Sequence, residues 1–298
     1  MKTLSCFVLS LLAAAGGLRA DEPVDESRPA APDVQIQIEN LSGSVRVTGW
    51  NEDRVRVTGT VGDDTEGLEI EGDRNAISIE VEIPDRHGRR SLGGRDYDAD
   101  LEIWVPTGSR LSVETVSAWI EVSDLEGTLE LESVSGKIEA GGRPQEAELS
   151  TVSGSIRFTG SQTSISAESV SGSVRLEGVA GRVEVSTVSG NIEVVSDVFE
   201  RGELETVSGR IDFEGDLAPR GRLDIEGHSS NITVALPASV SASFEVETFS
   251  GRIKSDWGPE AVRVGRYSPG MELEFSTGAG EARVTIDSFS GSVWLKQK

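Results

Sequence analysis

The sequence predicts an all-β fold, a parallel β-solenoid (β-helix) of eighteen-residue coils with an irregular amino-terminal half. Three observations predict it. A serine recurs at Ser117, Ser135, Ser153, Ser171 and Ser189, eighteen residues apart each time, and less strictly at Ser208, Ser229, Ser250 and Ser290. Within each unit apolar residues alternate with period two, which is the strand pattern. No helical period appears after the leader. A coil of this size cannot bury its apolar face alone, so the stack is the folding unit. Right-handed winding is favoured, because the repeats lack the strict hexapeptide period of the left-handed kind.

The elements follow in chain order. Residues 1–20 read as a secretory signal: Lys2 is a short positive region, Phe7 to Ala15 is apolar, and Leu18-Arg19-Ala20 precedes the acidic Asp21-Glu22. Cleavage there removes Cys6, the only cysteine, and with it disulfide and thiol chemistry. Residues 21–33 are charged and carry Pro23, Pro29 and Pro32, the composition of a flexible tether. Residues 34–110 hold strands at irregular spacing and read as a capping half continuous with the solenoid. Residues 111–298 are the repeats, with Ser255 to Gly270 an insertion before the last coil. No later segment has the apolar length of a membrane span.

Counting from the motif serine as zero, positions −6 and −4 are apolar, as in Leu129 and Leu131, and so are −1, +3 and +5, as in Val188, Ile192 and Val194. The shift of phase between −4 and −1 predicts a corner there. Glycine at +1 fits a corner that needs positive φ or no side chain. The repeated serines fit turns, where hydroxyls bond the backbone.

At this point the residues resemble a known family. Ile38-Glu39-Asn40-Leu41-Ser42-Gly43-Ser44-Val45, Gly49-Trp50-Asn51-Glu52-Asp53-Arg54-Val55-Arg56-Val57, Asp100-Leu101-Glu102-Ile103-Trp104-Val105-Pro106-Thr107-Gly108 and the Val-Ser-Gly units are similar to the bacterial putative-adhesin family of β-strand-repeat proteins, a domain of unknown function. The resemblance covers about residues 34–298. It implies a β-helical fold and a place in the cell envelope or at the surface, and it brings no catalytic residues.

Composition narrows the function. The net charge is −23, which excludes a nucleic-acid binder and opposes adsorption to anionic lipid. The two histidines, His87 and His228, lie far apart, and no zinc-protease, phosphate-loop or nucleophile-elbow motif is present. A glycan-active β-helix enzyme would need convergent carboxylates in a cleft, and no unit breaks the repeat to make one. The reading is therefore a non-catalytic envelope or surface scaffold, periplasmic, surface-attached or secreted, that binds a protein or glycan. The alternative is a cation-responsive module.

The candidate binding residues form an acidic face. Glu114, Glu132, Glu168, Glu205, Glu226, Glu247 and Asp287 stand at −3, and Glu130, Glu148, Glu184, Glu203, Asp224 and Glu245 at −5. All are expected to point outward. Like charges one coil apart repel by about 0.9 kcal/mol in bulk water, which solvent and salt tolerate. Calcium accepts such oxygen ligands, and any such site would be shallow and weak, with no other cofactor. At +4 the signs mix, and Glu139 is expected to pair with Arg157 across coils. Asp96-Tyr97-Asp98-Ala99-Asp100 starts like a calcium loop, but Leu101 stands where the loop needs glycine, so a strand is expected. Arg86, Arg89, Arg90 and Arg95 make one basic loop, a second candidate for docking an anionic group. Asn40 and Asn231 match a glycosylation pattern that a bacterial-type chain does not use.

Overall fold

The computed structural model describes residues 22–84, 97–161, 164–265 and 269–298. The signal segment and the basic loop, with Arg86, Arg89, Arg90, Arg95 and His87, lie outside the described residues. Every regular element among those described is a strand.

The chain opens with β1 (Glu22–Pro29), β2 (Gln35–Asn40), β3 (Ser42–Trp50), β4 (Arg54–Val61), β5 (Gly67–Gly72), β6 (Ala76–Glu82) and β7 (Asp98–Pro106). The regular part follows as β8 (Arg110–Thr115), β9 (Trp119–Leu125), β10 (Thr128–Ser133), β11 (Ile138–Gly142), β12 (Glu146–Thr151), β13 (Ile156–Gly160) and β14 (Ser164–Ser169). Then β15 (Val174–Thr187) and β16 (Ile192–Leu236) run unbroken through corners, before β17 (Ala242–Ser255), β18 (Val262–Arg263), β19 (Met271–Ser276) and β20 (Ala282–Gln297).

Two parallel ladders result. In the first, β8, β10, β12, β14 and the end of β15 pair in order, with Leu111, Leu129, Ala147, Ile165 and Val183 in one file. In the second, β9, β11, β13 and the start of β15 pair, with Ile120, Ile138, Ile156 and Val174 in file. Successive partners in each file are eighteen residues apart in sequence. The inward side chains at −6, −4, +3 and +5 fill one hydrophobic core, all of them buried in these coils. Asp100 and Glu102 point outward from β7 while Leu101, Ile103 and Val105 are buried, as expected of a strand.

The corner differs from the expected one. Alternation does not break after −4: position −2 points inward and −1 outward. Thr115, Ser133, Thr151, Ser169 and Thr187, all at −2, are buried. Val116, Val134, Val152, Val170, Val188 and Val207, all at −1, are 43–50% exposed. At three of these corners the buried hydroxyl accepts a hydrogen bond from the +1 glycine: Gly136 N–H donates to Ser133 Oγ (2.8 Å), Gly154 N–H to Thr151 Oγ1 (3.0 Å) and Gly172 N–H to Ser169 Oγ (2.8 Å). Thr115, followed by Ala118, instead donates to Ser133 Oγ (2.9 Å), and the −2 hydroxyls of Thr206, Thr248 and Ser288 find no partner among the described residues. Turn chemistry of this kind belongs to the −2 hydroxyl, while the recurring serine at zero faces solvent. The glycine is required by closeness of backbones. A Cβ on Gly172 would lie 1.6 Å from the carbonyl oxygen of Gly154 one coil earlier, and Gly154 stands in the same relation to Gly136 at 1.8 Å.

The ends are not wound in chain order. β2 and β3 lie between the β6–β7 coil and the β8–β9 coil. At the other end β20 lies between β16 and β17. Antiparallel strands then close both ends: β5 on β6, β4 on β7 and β1 on β4 at the first, β19 on β17 and β18 on β19 at the second. Residues 22–29, expected to be a tether, are thus strand β1, hydrogen-bonded along β4 from Glu22↔Val61 to Pro29↔Arg54. Its prolines are tolerated because it is the outermost strand, with no further neighbour to bond. The insertion at Ser255–Gly270 carries Trp257, which is 8% exposed and packs on Phe244 at 5.9 Å. Phe244 also stacks on Phe275 at 4.6 Å, so aromatics plug this end of the core.

Candidate functional site

The outward face of the first ladder presents four parallel rows from each coil, at −7, −5, −3 and −1, and its cations, Arg110, Arg182, Arg201, Arg222 and Arg283, stand at the −7 edge. The −3 row is the longest run of one charge. Through the paired strands it reads Glu69, Glu80, Glu39, Glu114, Glu132, Ser150, Glu168, Ser186 and Glu205, and at the far end Glu226, Asp287, Glu247 and Glu272. Eleven of these thirteen rungs are carboxylates, so the face is acidic from end to end. All the −3 carboxylates picked from the sequence point outward, as does the −5 row of Glu130, Glu148, Glu184, Glu203 and Glu245, with Asp224 half-buried beside Arg222. Among the described residues, no ion pair reaches any member of the −3 row from Glu114 to Asp287.

Four members were missed by the sequence reading. Glu39 was legible, since it stands three residues before Ser42 in the early copy of the motif. Glu80, Glu69 and Glu272 carried no such signal, because they reach the row through strands that lie outside the eighteen-residue spacing.

Crowding of like charge shows in the proton affinities. The Glu132 carboxyl is held above the ordinary value of 4.5, first by partial desolvation and then by Glu114, Glu130 and Glu148. Glu205 is raised by desolvation, then by Glu226, Glu203 and Glu184. Glu247 is raised by desolvation, then by Asp287, Glu272 and Glu245. Asp287 is raised by desolvation, then by Glu245 and Asp224. Glu69 is raised chiefly by Glu71 and Glu82. A raised folded-state value means that the folded chain binds protons more tightly than the unfolded one. This contribution therefore favours folding as pH falls toward 4.5 and is lost as pH rises through the raised values. At constant ionic strength the melting temperature is expected to climb by a few degrees between pH 7 and pH 5. A steady fall over that range would contradict the crowding described.

The second ladder's outward face is built differently. Arg46 pairs with Glu102 (3.4 Å) and Glu121 (3.3 Å), and Lys137 with Glu139 (2.6 Å). Arg157 meets Glu139 at 3.9 Å, the cross-coil pair expected from the sequence, and Arg175 meets Glu193 at 2.6 Å. Its tryptophans are covered by cations, Arg46 over Trp119 at 5.4 Å and Lys296 over Trp294 at 4.1 Å. That face is internally neutralised; the first is not.

Beside the carboxylates runs the −1 row. The exposed valines continue into His228, Phe289 and Phe249, stacked nearly parallel at 4.7 and 4.9 Å. Between the two rows lies an open groove of about 1350 Å³, floored by the buried hydroxyls at −2 and extending from Glu39 and Glu80 to Met271. Among the described residues no group of three or more acidic or histidine side chains is placed to hold a metal ion. No helix of the described residues is long and apolar enough to cross a membrane.

A family model described as Toastrack DUF4097 matches residues 34–296. No curated protein matches the chain. Several solved structures are similar over most of their length. A putative lipid binding protein from Parabacteroides distasonis ATCC 8503 shares 15% identity, covering 92% of this chain and 96% of that one, with a TM-score of 0.49. A putative adhesin from Bacteroides fragilis NCTC 9343 shares 11%, covering 92% and 97%, with a TM-score of 0.44. A putative cell adhesion protein from Clostridium sporogenes ATCC 15579 shares 13%, covering 93% and 100%, with a TM-score of 0.24.

Proposed function

Because the chain belongs to the Toastrack DUF4097 family, a repeat scaffold, we propose that it is a non-catalytic envelope or surface protein that binds through the acidic face of its first ladder. The observation that carries this reading is the contrast between its two faces. One pairs its charges internally, and the other keeps its arginines at the −7 edge and leaves a −3 row of carboxylates, broken only at Ser150 and Ser186, without a paired cation. A row of identical groups suits many weak, simultaneous contacts, in which overall affinity comes from number. The export signal read in residues 1–20 supports a periplasmic, surface or secreted location, and a part in adhesion is consistent with it. The proposal includes eighteen-residue coils, supported by the eighteen-residue offset between paired strands, and right-handed winding, supported by the lack of a strict hexapeptide period in the repeats.

Thermal melts in calcium, magnesium and sodium chlorides at matched ionic strength test the reading. All three salts are expected to raise the melting temperature by similar amounts, because they screen a repulsive face that holds no preassembled ion site. A rise specific to calcium would favour the cation-responsive alternative, with carboxylates of neighbouring coils acting as shared ligands. If no salt had any effect, the acidic face would lose its standing as the dominant electrostatic feature.

A further inference from the structure

The groove combines two chemistries that ordinarily select different partners. At −3 it is anionic. At −1, two residues further along the chain and at the corner where the strand ends, it is apolar and unprotected, from Val116 to Val207 over six consecutive coils. We infer that this groove docks a cationic amphipathic α-helix lying along the solenoid axis, its apolar stripe on the valine row and its lysine or arginine stripe on the carboxylate row. The inference rests on the acidic face being the binding surface, and adds what that surface selects.

The other occupants fit less well. A second copy of the same face, an anionic lipid surface or a nucleic acid would bring negative charge onto the carboxylates. A sugar ring stacks on the face of an aromatic ring, but His228, Phe289 and Phe249 stack face to face, with both faces of the central Phe289 covered. An extended peptide places same-side residues about 6.8 Å apart, out of step with coils about 4.8 Å apart. Strand addition would use the outer edges of β1, β5 and β18 at the ends and not this groove, which runs across the strands. A helix repeats a face every three or four residues, about 4.5 to 6 Å of rise, which keeps step with successive rungs. Six valine rungs span about 24 Å, the length of a helix of about sixteen residues.

The experiment uses the full chain and three fluorescent peptides of equal charge: a sixteen-residue leucine–lysine amphipathic helix, the same composition in scrambled order, and oligolysine. The helical peptide is expected to bind in low salt roughly tenfold more tightly than either of the others. The triple variant Val134→Thr, Val152→Thr, Val170→Thr should weaken it by about tenfold while leaving oligolysine unchanged. Glu132→Gln with Glu168→Gln and Glu205→Gln should weaken all three peptides. The substituted side chains are exposed and near-isosteric, and a melt unchanged in the valine variant and no lower in the glutamine variant would verify the fold. Equal binding of all peptides, indifferent to the valine changes, would overturn the inference yet leave the acidic face as a charge-binding surface. Binding of none would remove that surface as well.

Discussion

Replacing Ile156 with aspartate is expected to unfold or fray the stack, with a loss of about 4 kcal/mol or more. Ile156 is 1% exposed and sits in file between Ile138 and Val174. A carboxylate there would be buried between coils with no cation to pair with. The matched control is Val152→Asp. It lies four residues earlier and is equally apolar in the repeat, but it is 47% exposed, so its change should fall within about 1 kcal/mol. Circular-dichroism melts of the two variants decide the register. An Ile156→Asp melt as high as that of the unaltered protein, or two equal losses, would mean that the inward and outward assignments are wrong.

The second large effect needs only one methyl group. Gly172→Ala is expected to cost about 3 kcal/mol or more, because the new Cβ would stand 1.6 Å from a backbone oxygen that is itself fixed in the stack. No flexible side chain is available to move aside. The coils at Gly154 and Gly172 would have to separate, breaking the ladder on both sides. Ser171→Ala, at the neighbouring exposed residue, should change stability by about 0.5 kcal/mol or less. A Gly172→Ala protein that melts together with Ser171→Ala would refute the close approach of successive corners.

These two residues also show what the sequence discloses. Ile156 was legible because its strand alternates and its inward partners are all aliphatic. The corner was misread because hydropathy ranks valine above threonine, whereas the structure buries the threonine. At Ser133, Thr151 and Ser169 the −2 hydroxyl meets the +1 glycine N–H, so its burial costs little there. A valine at −1 stays outside without disturbing the core, and nothing in a single coil's pattern marks it as surface. The outward placement of the acidic rows was legible because −3 and −5 follow from the positions of −4 and −6. Their extension through Glu80, Glu69 and Glu272 was not, since those strands join the ladder out of chain order. Strand β1 was hidden by its two prolines, Pro23 and Pro29, and a charged composition, features of a tether that an outermost strand also tolerates.

The placement of β20 between β16 and β17 has a consequence for how the molecule is made and how it could change in length. During synthesis residues 222–236 and 242–255 emerge before the strand that separates them, so winding from the amino terminus cannot finish until the last residues arrive. The final segment closes the structure like a keystone, and contacts of long sequence separation of this kind are slow to form. The other end is closed by a similar interleaving of β2 and β3. Whole coils therefore cannot be shed from or added to the tips without leaving a gap. Gain or loss of an eighteen-residue unit is compatible only with the regular middle, between about residues 128 and 206, where each coil meets its sequence neighbours alone. The groove would lengthen or shorten by one rung at each such step, its two closed ends staying unaltered.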